Sequence, residues 1–237
     1  PFFIGGSADL SCSDKTAINN SGVISPKNFN AKNIKYGVRE FAMAAISNGL
    51  ALHGMFLPYC GTFLVFSDYM RNAIRLSALM DLPVIYNFTH DSFYVGEDGP
   101  THQPVEHVAS LRAIPNLTVI RPADATEVKG AWATMIKQKK PAAIILSRQN
   151  VKDLDGTEFN SIEKGAYVVK KEKKAAEIDL VILASGSEVS LAIDVASELE
   201  NINKNVRVVS FPSFELFEKQ SQEYQDRAAR VGFDWPE

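Results

Sequence analysis

The sequence predicts an α/β fold: a doubly wound, mostly parallel sheet with helices on both faces, followed by a second, smaller and truncated α/β domain. Three short runs, at residues 83–89, 117–120 and 142–146, are hydrophobic without alternation, which is typical of strands that helices cover on both sides. Two helical segments separate these runs, at residues 105–113 and 124–137. Strand and helix therefore alternate, as they do in a parallel sheet.

The N-terminal region carries weaker signals. Residues 5–35 are rich in Ser, Asn, Asp and Gly and predict loops with at most one short helix. Residues 40–53 are almost all apolar or small and precede Gly54, which predicts a helix buried on most sides. Residues 55–66 are apolar and aromatic around a Pro and a Gly, and we assign no element to them. Residues 68–80 carry apolar and charged positions on opposite sides, as an amphipathic helix does.

A change of composition after Gln149 predicts a domain boundary. Lys, Glu and Asp dominate there, so we place a linker at 151–178, with one short strand at 166–169. A strand, a helix, a strand and a helix are predicted beyond the linker, at residues 180–184, 188–199, 206–210 and 214–230. The predicted organisation is a first domain at 1–150, the linker, and a partial second domain at 179–237.

The overall composition excludes several classes of protein. Of 237 residues, 46% are hydrophobic and 22% charged, which is ordinary for a globular chain and unlike disordered or collagenous ones. The formal net charge of -3 and the absence of a dense Lys/Arg run predict no binding to nucleic acid. No apolar stretch approaches the ~20 residues of a membrane helix. Cys12 and Cys60 are isolated, which predicts reduced thiols and a cytoplasmic location.

Polar residues follow the three hydrophobic runs. Ligands bind beyond the carboxyl ends of the strands in open parallel sheets, so these positions are candidates for a site. An imidazole and two guanidiniums on one rim can bind a phosphate and leave room for proton transfer. The alternative is that the two arginines only form salt bridges with loops above the sheet. The residues that follow the runs are His90 and Asp91, then Arg121, then Ser147, Arg148 and Gln149.

The loop at residues 96–103 strengthens the case for a site. It holds Glu97, Asp98 and His102 among glycines, just before a predicted helix. Glycines there allow special backbone conformations or the close approach of a ligand. A helix N-terminus favours the neutral form of His102, which suits hydroxyl recognition or proton transfer. A lone histidine is more often structural, but His90 and His102 on either side of an acidic loop indicate a site.

Four ordered segments resemble the signature motifs of the transketolase family, which depends on thiamine diphosphate. Any one of them is a modest match, whereas four in the same order are not a coincidence. The segments are Gly5-Gly6-Ser7-Ala8-Asp9-Leu10, Tyr36-Gly37-Val38-Arg39-Glu40, His90-Asp91-Ser92 with the loop at 96–103, and Leu146-Ser147-Arg148-Gln149. The chain resembles the pyrimidine-binding domain and part of the C-terminal domain of this family.

The resemblance implies a cofactor and a reaction. The cofactor is thiamine diphosphate, and the reaction of the pentose phosphate pathway moves a two-carbon ketol unit from a ketose phosphate to an aldose phosphate. Glu40 matches the carboxylate that hydrogen-bonds the pyrimidine ring nitrogen and so promotes formation of the thiamine ylid. Phe63, Phe66 and Tyr69 match the aromatic cluster around the pyrimidine, although aromatic residues at this spacing are otherwise core residues.

The same resemblance implies the substrate contacts. His90, His102 and Asp98 match residues that contact the sugar hydroxyls, while Arg148, Ser7 and His90 match the ligands of its terminal phosphate. The residues predicted to be catalytic are Glu40, His90 and His102.

One part of the family pattern has no counterpart here. Nothing resembles the Gly-Asp-Gly segment and downstream Asn that hold the divalent metal, so we predict no metal ligand of that site in this chain. The complete enzyme is expected to contain Mg²⁺ or Ca²⁺, held by the diphosphate-binding domain of the same or a partner subunit in a homodimer. The start at Pro1 predicts a piece of a longer protein, and the tail at 231–237 departs from the family.

Three alternatives stay open. The chain is the second subunit of a split transketolase, a related synthase that uses pyruvate, or a non-catalytic assembly module of the same fold. The complete loop at 96–103 favours transketolase over the synthase. A scaffold has no need of a carboxylate at position 40, so Glu40 argues against the module.

Overall fold

The computed structural model describes residues 2–174 and 178–229, and these form two compact units. The first unit combines the residues up to Val119 with Met135–Gln149, and the second combines Ile120–Thr134 with the residues from Asn150 onward. The atypical tail at 231–237 lies outside the described residues. In the described part of the chain, no helix has the length and apolar character needed to cross a membrane.

A parallel sheet organises the first unit. Within the described residues it has six strands in the order β2-β1-β3-β4-β6-β5. The neighbours β2 and β1, β1 and β3, β3 and β4, and β4 and β6 all run parallel. The strands are β1 (Phe2–Ser7), β2 (Asn33–Lys35), β3 (Phe56–Phe63), β4 (Ile85–Thr89), β5 (Thr118–Ile120) and β6 (Ala142–Ile145).

The helices between these strands follow the sequence pattern closely. The described helices of this region are α1 (Ser11–Asp14), α2 (Glu40–Leu52), α3 (Ser67–Leu79), α4 (His107–Arg112) and α5 (Ala125–Gln138), with short 3-10 turns at Leu64–Phe66 and Phe93–Val95. The core of the unit is mostly apolar, and Met43, Met70, Ile74, Tyr86 and Phe88 are completely buried in it. The predicted α/β class with a parallel sheet is confirmed.

The second unit contains the smaller sheet. In it β9 lies between β7, to which it is antiparallel, and β8, to which it is parallel. The described elements are a 3-10 helix (Phe159–Lys164), β7 (Tyr167–Lys170), β8 (Leu180–Ala184), α6 (Glu188–Asn201), β9 (Val206–Ser210), α7 (Phe214–Phe217) and α8 (Gln222–Ala229). The 3-10 helix and β7 lie in the segment at 151–178. The domain boundaries at 150 and 178 stay a prediction.

The buried carboxylate of Glu127 links three segments of the second unit by hydrogen bonds. Asp124 and Glu127 have the spacing of a capping box at the start of α5, and the Glu127 amide donates to Asp124 Oδ1 at 2.9 Å. The Glu127 carboxylate reaches back to the Ala123 amide at 2.7 Å. It also accepts hydrogen bonds from the hydroxyls of Tyr167, at 2.6 Å, and Ser210, at 2.5 Å. Burial raises the pKa of Glu127, and the hydrogen bonds from Ser210 and Tyr167 oppose this shift.

We expect Glu127→Ala to lower the free energy of unfolding of the second unit by about 3 kcal/mol. The variant leaves three buried donors without their acceptor, and each such loss costs roughly 1–3 kcal/mol before relaxation. Urea unfolding followed by circular dichroism measures the change. Glu223→Ala, which removes an exposed carboxylate from α8, is the matched control and is expected to change stability by under about 0.5 kcal/mol. Equal effects of the two variants contradict the prediction.

Candidate active site

The order of the strands places a crevice at one edge of the larger sheet. The chain passes from β1 to β2 on one side of β1 and then returns to β3 on its other side. Connections therefore leave β1 and β3 in opposite directions, and the loops that follow these strands leave an opening between them. Ligands of open α/β sheets bind at such a switch point, beyond the carboxyl ends of the strands. The two strands end at Ser7 and Phe63.

A cavity of about 490 Å³ lies at this point. Three segments that are distant in sequence contribute to its wall: the turn after β1, the residues around the start of α2, and the start of α3. The loop at 96–103 adds one histidine. The lining residues are Ala8, Asp9, Leu10, Val38, Glu40, Phe66, Tyr69 and His102.

Glu40 is the acidic residue buried in the cavity wall. It is the first residue of α2 and is only 9% exposed. Within residues 2–174 and 178–229, no side chain donates a hydrogen bond to its carboxylate or forms an ion pair with it. The residue lines the cavity, so a group that enters it can reach the carboxylate. Glu40 is therefore placed to bind a polar group that enters the cavity.

Aromatic rings connect the cavity to the end of β4. The Phe63 ring stacks on His90 with centroids 3.7 Å apart and lies 6.1 Å from Phe66. Phe66 in turn lies 6.0 Å from Tyr69 and meets the edge of His102 at 5.3 Å. The structure thus brings the predicted aromatic residues and both predicted histidines into one continuous cluster.

His90 directly follows β4 and has an unusual backbone. Its φ of 61° lies in the left-handed region, which residues other than glycine seldom adopt. Its Nδ1 lies 2.9 Å from the Thr89 hydroxyl. Burial lowers the pKa of His90, and the positive charge of Arg148 lowers it further, while Asp98 and Asp91 oppose the shift. The imidazole is therefore neutral at neutral pH, with predicted substrate residues on either side of it.

The two predicted arginines differ in their surroundings. Arg148 lies three residues after the end of β6 and is exposed. Arg121 belongs to the second unit, where it forms an ion pair with Glu188 and donates to the Ser185 carbonyl at 2.8 Å. Arg121 therefore does form a salt bridge, but its partner is the first residue of α6 and not a loop above the larger sheet.

Ser7 is less accessible than a phosphate ligand needs to be. It is 3% exposed, and its hydroxyl donates to Asp14 Oδ2 at 2.5 Å while accepting from the Leu10 amide at 3.0 Å. Asp14 is itself buried, and burial raises its pKa. Ser7 therefore holds the turn after β1 in place, and a direct contact with phosphate requires its hydroxyl to turn away from Asp14.

Several residues of the cavity wall were not predicted to belong to a site. Asp9, Leu10 and Val38 line the cavity, yet nothing in their residue types indicates a site. Their only signal is their position inside two of the four motifs. Asp9 also has a left-handed backbone, with φ 66°, which no local pattern indicates.

Comparison with known proteins agrees with this geometry. Residues 1–153 match the family described as "Transketolase, pyrimidine binding domain". The chain belongs to the transketolase family. Residues 165–232 match a second description, "Transketolase-like TK C-terminal domain". The resemblance carried by the four motifs is thus confirmed.

Relatives of this transketolase chain are longer than the chain itself. It is similar to the transketolase of Bacillus subtilis, with 55% identity over 230 residues, which cover 95% of the chain and 34% of the relative. It thus spans about a third of the length of such relatives.

Two solved structures extend the comparison. A transketolase from Pichia stipitis, in complex with sedoheptulose-7-phosphate, matches with a TM-score of 0.92 and 42% identity over 95% of this chain and 34% of that one. A "split gene transketolase, inactive beta4 tetramer" matches with a TM-score of 0.74 and 26% identity over 97% of this chain and 71% of that one.

Proposed function

We propose that this chain supplies the pyrimidine side of a thiamine diphosphate site in an enzyme that transfers a two-carbon ketol unit from a ketose phosphate to an aldose phosphate. The observation that carries the proposal is Glu40: a buried carboxyl group without a side-chain partner among the described residues, facing a cavity with aromatic walls. Membership of the transketolase family makes the pentose phosphate pathway the expected context.

The cavity fits an aminopyrimidine ring. Phe66 and Tyr69 offer flat apolar surfaces for such a ring, and Glu40 offers an acceptor and a proton for a ring nitrogen. When bound, thiamine diphosphate supplies the nucleophilic carbon that receives the ketol unit. Glu40 would hold a proton at the pyrimidine nitrogen. The aromatic residues, including Phe63, would exclude water from that hydrogen bond.

The sugar phosphate would lie along the ends of β4 and β6. The imidazoles of His90 and His102 can accept hydrogen bonds from hydroxyl groups or donate to them, and Asp98 adds an acceptor. Arg148 provides a positive charge for the terminal phosphate. The sugar phosphate bound to the Pichia stipitis protein supports this choice of substrate class. Ser7, engaged with Asp14, is the weakest member of the proposed set.

The diphosphate and its Mg²⁺ or Ca²⁺ would be held by a diphosphate-binding domain of the same or a partner subunit, and we propose a homodimer. Apolar side chains that are exposed on α2 and α3 support this, since large apolar patches commonly mark interfaces. These residues are Phe41, Ile46, Leu52, Leu76 and Leu79. The cytoplasmic location stays a prediction.

A split enzyme is the second candidate. The chain covers 71% of the split-gene transketolase chain but only 34% of the Bacillus subtilis relative, so a separate subunit of similar size exists within this fold family. Both candidates place the same chemistry on the residues described here. They differ in whether the diphosphate-binding domain is encoded in the same polypeptide, which the parent reading frame decides.

We expect Arg148→Ala in the complete enzyme to lower kcat/KM for phosphorylated sugars by roughly 10- to 150-fold more than for unphosphorylated ones. The reason is the loss of a charge-assisted contact, worth about 1.5–3 kcal/mol. Steady-state kinetics with matched sugar pairs measures this ratio. Lys152→Ala removes a cation a few residues further along the chain and is expected to change both sugars little. Equal losses for the two sugar types in Arg148→Ala exclude it from the phosphate site.

A further inference from the structure

A second group of polar side chains lies in the first unit and takes no part in the proposed cofactor or sugar contacts. Asp68 is the second residue of α3, Glu106 immediately precedes α4, and His107 is the first residue of α4. His107 Nε2 lies 3.2 Å from Asp68 Oδ2, and His107 Nδ1 lies 3.9 Å from Glu106 Oε2. One possible ligand atom from each residue lies within 4.8 Å of the other two.

The imidazole of His107 points to a missing ligand. The residue is 5% exposed, and within the described residues neither of its ring nitrogens makes a hydrogen bond of good geometry. Nearly all buried polar groups have such a partner, and a buried polar group without one destabilises the fold. Both carboxylates, in contrast, are exposed and able to rotate. The two buried nitrogens therefore each lie beside a mobile carboxylate, Nε2 beside Asp68 and Nδ1 beside Glu106.

We propose that Asp68, Glu106 and His107 bind a divalent transition-metal cation of the Zn²⁺ class. One imidazole nitrogen with two carboxylate oxygens is a ligand set that Zn²⁺ accepts, whereas Mg²⁺ and Ca²⁺ prefer oxygen alone. Ligand atoms about 2.0–2.2 Å from a tetrahedral ion lie roughly 3.3 Å apart. The exposed carboxylates can rotate to bring one oxygen each toward the same imidazole nitrogen, and a water molecule completes the tetrahedron.

The competing explanation is a protonated His107 that forms ion pairs with both carboxylates. The two explanations predict different effects of pH. A metal ion takes the place of a proton on the imidazole, so metal binding releases that proton and becomes weaker at low pH. They also differ in the role of the carboxylates, which are ligands in one case and surface counter-charges in the other. Surface ion pairs contribute little to stability, so direct metal binding is the decisive readout.

The test is titration of the full chain with Zn²⁺ by calorimetry and with Co²⁺ by visible absorption, which reports the geometry of the ligands. We expect one bound ion per chain. Asp68→Asn, Glu106→Gln and His107→Asn are each expected to weaken binding at least about 10-fold, the loss seen when even outer partners of a metal site are removed. His53→Gln and Glu223→Gln, both exposed positions outside the group, are the controls and are expected to bind as the unmodified chain does.

The two carboxylate variants keep the test valid if the His107 variant fails to fold. His107 is buried and its replacement can destabilise α4, but Asp68 and Glu106 are exposed, so Asp68→Asn and Glu106→Gln retain the fold, as circular dichroism will verify. Absence of Zn²⁺ and Co²⁺ uptake by the unmodified chain overturns the proposal. Equal affinities in the unmodified chain and in both carboxylate variants overturn it as well. The measurement is independent of ketol transfer, so its failure leaves the proposed function unaffected.

Discussion

In the complete enzyme, Glu40→Gln is expected to slow exchange of the reactive thiazolium proton of thiamine diphosphate by ~10²–10⁴-fold, the usual value of general acid–base assistance. Glutamine fills the same volume of the cavity wall and still forms a hydrogen bond to the pyrimidine ring. It has no acidic proton to share with the ring nitrogen. The variant is therefore expected to slow activation of the cofactor and to leave the affinity for the sugar almost unchanged.

Hydrogen–deuterium exchange at that carbon, measured by quenched-flow NMR, gives the rate directly. Glu97→Gln is the matched control, because it makes the same chemical change on an exposed carboxylate of the loop at 96–103. We expect exchange in this control near the wild-type rate. If Glu40→Gln also exchanges at the wild-type rate, Glu40 acts only as a charge at the N-terminus of α2, and the central assignment is lost.

The chain by itself is expected to show no measurable ketol transfer, even with thiamine diphosphate and Mg²⁺ supplied. The cavity beside Glu40 provides groups for the pyrimidine ring, but no sequence motif of this chain matches the metal and diphosphate ligands of the family. A cofactor attached through one ring alone lacks most of its binding energy, so the loss of turnover is complete.

The assay follows aldose consumption by the purified chain and by the same chain mixed with a polypeptide that carries the diphosphate-binding domain. Activity is expected only in the mixture. A mixture made with the Glu40→Gln chain controls for activity carried over from the host, and it should remain inactive. Robust turnover by the unmixed chain contradicts the division of the site between two domains.

Much of the fold follows from local patterns, and the exceptions have physical causes. The strands β4, β5 and β6 were predicted within two residues because continuous apolar runs have few other uses. The strand β1 was missed because Gly5 and Gly6 are poor strand formers. Both are required there by packing: a Cβ atom on either would lie 1.9 Å from a backbone oxygen of a neighbouring strand. Contacts between distant residues thus override local propensity.

Two helix predictions were wrong in part. The helix α2 was expected to be buried on most sides, but Phe41, Ile46 and Leu52 are exposed in this chain, since composition does not distinguish a core from an interface. The segment at 214–230 was expected to be one helix. It divides into α7 and α8, and Ser221 caps the second helix just before its first residue, its hydroxyl accepting from the Tyr224 amide at 3.3 Å.

The site was predicted residue by residue but not in its geometry. The motifs predict roles for Glu40, His90 and His102, and these roles stay predictions. In the structure Glu40 and His102 line one cavity, and His90 joins them through the Phe63 ring. The interaction of Ser7 with Asp14 was not predicted, because it depends on a turn whose shape no local rule specifies. The group around His107 was also missed, since Asp68 and His107 are far apart in the sequence and come together only in the folded chain.

The left-handed backbone of His90 affects how substitutions at this position change stability and activity. A non-glycine residue with φ near 60° costs roughly 1–2 kcal/mol relative to a favourable conformation, and glycine would remove that cost. At this position stability alone therefore selects against any side chain, while the stacked imidazole is the group that the proposed chemistry needs. At the end of β4 a gain in backbone stability is therefore expected to come with a loss of the proposed activity, because the glycine that relieves the backbone also removes the imidazole.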